Sequence, residues 1–175
     1  MNQDLIRRQM HEWLVDFVEK PNPMLNDWAP CPYARRARIS DRFAIKFATA
    51  DQLINVIAQA AQELEHQDVI AVCVDPTEIV PTDLAQLVLD QNQLLMPADI
   101  VLLEDHPEAE EWVNGVKMNF GHCAIVFVQK LSMINQASEQ LLSSGYYDHW
   151  SKENLDAVVT WRVNTSNDLL PNQSC

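Results

Sequence analysis

Glycine is the residue that this sequence lacks most clearly, with three in 175 residues. Loops that hold nucleotide phosphates need several glycines close together, because the main-chain N–H groups must approach the ligand without a side chain in the way. The scarcity of glycine therefore argues against a nucleotide site of this type. The sequence leaves the identity of any cofactor unknown.

Long hydrophobic runs are missing as well. No apolar stretch approaches the roughly 18 residues of a membrane-spanning helix. The first 17 residues carry acidic side chains among apolar ones, unlike a secretory signal peptide. With 47% hydrophobic residues, the composition is typical of a globular protein. We expect a soluble, cytoplasmic protein that has no membrane partner.

No Cys-x-x-Cys pair occurs among the four cysteines, so neither a zinc ribbon nor a disulfide scaffold is indicated. Cys73 and Cys123 lie in apolar runs and are expected to be buried, inert thiols. Cys31 differs from them because a proline flanks it on each side and a run of arginines follows.

Basic residues are scarce: 12 Lys and Arg residues stand against 25 Asp and Glu residues, and the formal net charge is −13. This balance argues against nucleic-acid binding, which normally needs a basic surface. Five of the 12 basic residues nevertheless lie between positions 35 and 46, where the net charge is +4, while the rest of the chain carries −17. A local charge of this size suits one or two anionic groups.

The hydrophobic pattern predicts an α/β (or α+β) fold, with about four strands in a mixed sheet and helices on its faces. The predicted element order is α β α β α β β α α. Residues 21 to 41, rich in proline and arginine, are predicted to form a loop. We predict one globular domain over residues 1 to 163 and a loose C-terminal tail over residues 164 to 175.

The strongest candidate site is the loop at residues 21 to 41 with the strand that follows it. Guanidinium groups near Cys31 would favour its thiolate, the reactive form, so Cys31 is a candidate nucleophile or redox thiol. Arginine side chains bind carboxylate or phosphate through paired hydrogen bonds. In the alternative interpretation, the same charges pair with surface acids or protect an edge strand from aggregation. The predicted binding residues are Tyr33, Arg35, Arg36, Arg38, Arg42 and Lys46.

Two histidines form the second candidate site. If the strands ending and beginning near them are antiparallel neighbours, His106 lies close to His122. Either imidazole is a candidate catalytic base for Cys31. Together with Glu104 they also form a candidate zinc or iron site. Their spacing matches no recognised metal signature, and solvent-exposed histidines are the alternative.

The stretch Leu25-Asn26 … Cys31-Pro32-Tyr33-Ala34 resembles the Leu-Asn-x-Cys-Pro-Phe-Ala motif of a family of small bacterial proteins of unknown function. In this chain additional residues separate Asn26 from Cys31, and Tyr33 stands where the motif has phenylalanine. The resemblance implies a similar use of Cys31 and no particular reaction.

These observations predict a protein that binds an anionic small molecule or anionic group near the basic, thiol-containing loop. If the protein is an enzyme, we expect its reaction to depend on the thiol. The alternative is a non-catalytic interaction protein, whose partner is another protein or a second copy of the chain. A metal-dependent enzyme that uses His106 and His122 is the third hypothesis.

Overall fold

The computed structural model describes residues 1 to 163, and the tail predicted over residues 164 to 175 lies outside the described residues. The helices are Gln3–Trp13 (α1), Ala34–Ile39 (α2), Leu53–Glu63 (α3), Pro81–Leu95 (α4), Leu131–Ser143 (α5) and Lys152–Leu155 (α6). The strands are Phe43–Phe47 (β1), Val69–Val74 (β2), Ile100–Asp105 (β3), Trp112–Val113 (β4), Val116–Lys117 (β5) and Ala124–Lys130 (β6).

The main sheet has four strands in the order β1-β2-β6-β3. β1 and β2 are parallel, because α3 carries the chain back across the sheet between them. β6 is antiparallel to both of its neighbours, β2 and β3. The predicted α/β class with a four-stranded mixed sheet is therefore confirmed.

α3 and α4 cover one face of this sheet. α4 begins at Pro81, whose fixed φ angle suits the first position of a helix. Both helices turn an apolar stripe toward the strands, and removing this surface from water stabilises the layer. The buried residues of this core include Leu53, Ile57, Ala60, Leu84, Val88, Ile70, Val72, Leu102, Val126 and Val128.

α1 packs on the opposite face. Its first turn is capped by Asn2, whose side chain accepts a hydrogen bond from the N–H of Leu5 at 3.1 Å. The helix continues as one π-helical turn over Leu14–Val18 and stops before Pro21. Cys73 and Cys123 are buried on this face, as predicted. The core beneath α1 consists of Ile6, Met10, Leu14, Val18, Ala71, Cys73, Phe120, Cys123 and Ile125.

A side chain of α4 pairs with the outer edge of β3 at one residue. Asn92, which is 4% exposed, donates to the carbonyl oxygen of Leu102 at 3.0 Å and accepts from its N–H at 2.8 Å. The amide of Asn92 thereby substitutes for a neighbouring strand at this position. Buried main-chain groups need such partners, since leaving them unpaired is costly.

Two predictions made from the sequence were incomplete. The loop predicted over residues 21 to 41 contains the short helix α2. The predicted element order lacks the β4–β5 hairpin, which lies between β3 and β6 and whose turn residues Asn114 and Gly115 both have positive φ angles. No helix within residues 1 to 163 is long and apolar enough to cross a membrane.

Candidate functional site

The Cys31 loop is fixed between α1 and α5. The N–H of Cys31 donates to the carbonyl of Val18 at 3.1 Å, and the carbonyl of Cys31 accepts from the N–H of Ala34 at the start of α2. The hydroxyl of Tyr33 donates to the side-chain oxygen of Gln140 on α5 at 2.9 Å. The loop is therefore held at both ends by hydrogen bonds from elements distant in sequence.

Aromatic residues of the turn after α5 pack against this loop. The hydroxyl of Tyr146 donates to the carbonyl of Pro30 at 2.7 Å. Its ring meets Trp28 edge to face, with centroids 5.5 Å apart, and also contacts Tyr147 and Trp150. Tyr146 and Tyr147 are both buried. These aromatic side chains form a packed plug between the loop and the C-terminal helices.

The thiol of Cys31 lies among groups that disfavour its thiolate. Burial of the sulfur raises its pKa first, the N–H groups of Tyr33 and Ala34 lower it, and the negative charge of Glu19 raises it again. The residue as a whole still has an exposed surface. The exposed part of Cys31 therefore lies away from the sulfur, around which the protein packs closely. No arginine charge lowers the pKa of the Cys31 thiol, so burial and the charge of Glu19 leave it raised.

Three of the predicted binding residues are paired with acids of the same chain. Arg38 binds Glu19 through two hydrogen bonds, at 2.6 and 2.8 Å. The side chain of Glu19 is only 5% exposed, so this bidentate pair is well shielded.

Arg42 and Lys46 have similar partners on the α3 side of the sheet. Arg42 lies 2.6 Å from Asp68, and Lys46 lies 2.8 Å from Glu63. An anion that bound either residue would have to compete with a carboxylate that is already in place. Arg42 and Lys46 are therefore less available to bind an added anion than unpaired cations would be.

Arg35 and Arg36 are different. Both are exposed on α2, and no ion pair within residues 1 to 163 involves either of them. Ile39 ends the same helix with 65% of its surface exposed. We call Arg35, Arg36 and Ile39 the α2 surface. It combines two uncompensated positive charges with an apolar side chain.

The two histidines lie at one end of the sheet, where β3 ends and β6 begins. His106 is buried: its Nδ1 accepts from the N–H of Glu108 at 3.1 Å, which leaves Nε2 to donate to the carbonyl of Ile79 at 3.0 Å. His122 is exposed and packs edge to face against Phe120. No hydrogen bond in the described part of the chain joins either histidine to Cys31.

The acidic side chains near His106 lie where burial and like charges disfavour their ionised forms. Asp105 is buried, which raises its pKa, although it accepts hydrogen bonds from the N–H of Phe120 and the side chain of Asn119. Glu111 as a residue is exposed, but protein packed near its carboxylate, and then the charges of Asp105 and Glu104, raise its pKa to about 7. Residues 1 to 163 contain no cluster of three or more His, Cys, Asp and Glu side chains able to hold a metal.

β1 leaves the outer edge of the sheet open. The N–H of Ala48 donates to the carbonyl of Cys73 on β2, and the carbonyl of Arg42 accepts from the N–H of Val69 on the same strand. The even-numbered residues of this stretch therefore direct their main-chain groups inward, toward β2. Phe43, Ile45 and Phe47 consequently direct theirs outward. One hydrogen bond reaches this edge from the described residues: Arg7 on α1 donates to the carbonyl of Ile45 at 3.3 Å.

A cavity of about 200 Å³ lies elsewhere, at the carboxyl ends of β1 and β2, and Asp75 and Glu78 contribute to its wall. None of the predicted binding residues lines it. The alternative interpretation of the sequence, that the charges pair with acids or lie on an edge strand, agrees with these ion pairs and with the position of β1. The sequence could not identify the partners or the open edge, because they depend on acids far away in the chain and on strand order.

Comparisons with protein-family models, with curated proteins and with solved structures found no match.

Proposed function

We propose that the protein is a non-catalytic interaction protein that binds an anionic group of a protein partner at the α2 surface. One observation carries this proposal: Arg35 and Arg36 are exposed and make no ion pair within residues 1 to 163, whereas Arg38, Arg42 and Lys46 are each paired. Unpaired guanidinium groups bind carboxylate or phosphate without first giving up another partner.

The surroundings of these arginines support a macromolecular partner over a small molecule. Small-molecule sites are usually concave and enclosed, whereas the α2 surface is exposed and carries the apolar side chain of Ile39. An arginine pair beside an apolar contact is a common composition at protein interfaces. The strongly negative remainder of the chain repels acidic partners from other surfaces, which favours binding at this one.

A thiol-dependent reaction has less support. A reactive cysteine needs a lowered pKa or a neighbouring base. The pKa of Cys31 is raised by burial and by Glu19, and the hydrogen bonds of His106 run to Ile79 and Glu108. The aromatic plug and Tyr33 also give the Cys31 loop a structural role, because they hold it in place for α2 to begin.

The test begins with a display library of random 12-residue peptides selected on the immobilised wild-type protein. We expect enrichment of Asp and Glu, and a selected peptide should bind more weakly at 200 mM than at 50 mM salt. Arg35→Glu with Arg36→Glu should weaken its binding at least tenfold. The matched control reverses the charge of Arg8 and Lys20, which are exposed on α1 and beside it and pair with local acids. Equal affinities for the two double variants would contradict the proposal.

A further inference from the structure

We infer that the anionic partner also adds a strand to the open edge of β1, so that the sheet of this protein continues into the partner. The inference rests on the proposed function for the charge of the partner. Strand addition itself follows from a separate feature, the main-chain groups of β1. In this mode of recognition, hydrogen bonds along an exposed sheet edge supply affinity, and the side chains of the added strand supply specificity.

The edge has the hydrogen-bonding groups that strand addition needs. The outward-facing N–H and C=O groups of Phe43, Ile45 and Phe47 have no main-chain partner within residues 1 to 163. All residues of β1 are partly exposed along their length. The two edges of the sheet therefore differ, because Asn92 satisfies both main-chain groups of Leu102 on β3. A buried amide covers the centre of the β3 edge, where Leu102 is fully buried, whereas every residue of β1 is partly exposed.

Arg7 is the group that a bound strand would meet at this edge. Its guanidinium donates to the carbonyl of Ile45 and lies 4.9 Å from the centre of the Phe47 ring. This single hydrogen bond, from an exposed and flexible side chain, is weaker than a strand ladder and can be displaced. Once displaced, the cation stays beside the edge, where it stabilises an acidic residue of the added strand.

The charges around the edge favour an acidic segment over a second copy of the chain. α2 ends only three residues before β1 begins, so the α2 surface and the start of the edge are adjacent in the chain. A two-fold pairing of β1 with its own copy would place two Arg7 side chains against each other, and like charges oppose such an arrangement. We therefore assign the edge to an extended acidic segment of a different protein, with about five residues paired along β1.

The experiment uses the peptide selected from the library and two changes that test the edge, one in the protein and one in the peptide. Ile45→Pro removes an outward-facing N–H and leaves the β1–β2 ladder in place, since that ladder uses the even-numbered residues. We expect it to weaken peptide binding at least tenfold, with its thermal unfolding measured alongside. N-methylation of the peptide, one residue at a time, tests the same point on the unchanged protein. Binding should fall at every second position only, because alternate residues face the edge.

The outcomes separate the two proposals. Loss of binding with Ile45→Pro and with alternate N-methylation supports strand addition. If N-methylation has no alternating effect while the Arg35→Glu, Arg36→Glu variant still loses binding, strand addition is overturned and the anionic surface stands. If N-methylation weakens binding at every second position but the Arg35→Glu, Arg36→Glu variant binds as well as the wild type, strand addition stands and the anionic partner is overturned. Failure to enrich any peptide, or a concentration-dependent dimer in which β1 is protected from hydrogen exchange, overturns the assignment of the edge to an acidic partner.

Discussion

Asn92 offers the sharpest test of how the fold is stabilised. Its side chain pairs with both main-chain groups of Leu102, and Leu102 has no measurable exposure. Asn92→Ala removes both hydrogen-bond partners at once from main-chain groups of a residue that is itself fully buried. We expect this change to destabilise the protein far more than an ordinary surface substitution on the same helix.

The magnitude follows from the two groups left unpaired. Each buried donor or acceptor without a partner costs about 1 to 3 kcal/mol, so the pair costs about 2 to 6 kcal/mol. Whole domains are stable by about 5 to 15 kcal/mol, so the variant should be close to its folding threshold. In urea, with a slope of about 2 kcal/mol per M, this corresponds to a decrease of about 1 to 3 M in the midpoint of unfolding, with an unchanged slope.

The assay is urea unfolding followed by circular dichroism, with Gln93→Ala as the matched control because Gln93 is the next residue of α4 and is exposed. Asn92→Asp adds a second comparison, since a carboxylate can still accept from the N–H of Leu102 but cannot donate to its carbonyl. Its deficit should shrink at low pH, where the protonated carboxyl can donate. If Asn92→Ala costs no more than Gln93→Ala, the amide does not stabilise the β3 edge and the reasoning is wrong.

Three further results are expected. By amide hydrogen exchange, the outward-facing N–H groups of β1 should exchange faster than the inward-facing ones, and uniform protection along the strand would contradict an open edge. In a variant whose other cysteines are serine, the alkylation rate of Cys31 should titrate above the usual thiol pKa of about 8.5. Glu19→Gln should shift this titration downward. A midpoint below 8.5 would show that the arginines act on the sulfur after all. The raised pKa of Glu111, about 7, means that its stabilising contribution is present below its usual pKa of about 4.3 and is lost as the pH rises through 7. The Tm of Glu111→Gln should therefore exceed that of the wild type increasingly between pH 5 and pH 8, and parallel Tm profiles would refute this.

The fold was predictable where apolar residues repeat with a clear period. The stripe on α1 is by itself typical of a helix, and the uninterrupted apolar run of β2 is typical of a buried strand. α2 was missed because its six residues carry three arginines and follow two prolines, so no apolar period marks it. The β4–β5 hairpin has strands of two residues, too short to show alternation, and only its Asn-Gly turn gives a signal.

The candidate site was predictable in composition but not in arrangement. The cluster of positive charge and its unusual cysteine are visible in the sequence. The acids that pair with Arg38, Arg42 and Lys46 lie 17 to 26 residues away, on other elements. Which arginines remain free therefore depends on tertiary structure. The open edge of β1 depends in addition on the strand order, which local sequence patterns do not encode.

The position of β6 has a consequence for how the chain folds. β1, β2 and β3 all precede it, yet β2 and β3 meet only through β6, which lies between them. During synthesis, β3 must therefore wait without a sheet neighbour until residues 124 to 130 have left the ribosome. β1, α3 and β2 can form a local unit earlier, because they follow one another directly. We expect folding to proceed in two stages, with insertion of β6 as the late step that joins the two halves of the sheet.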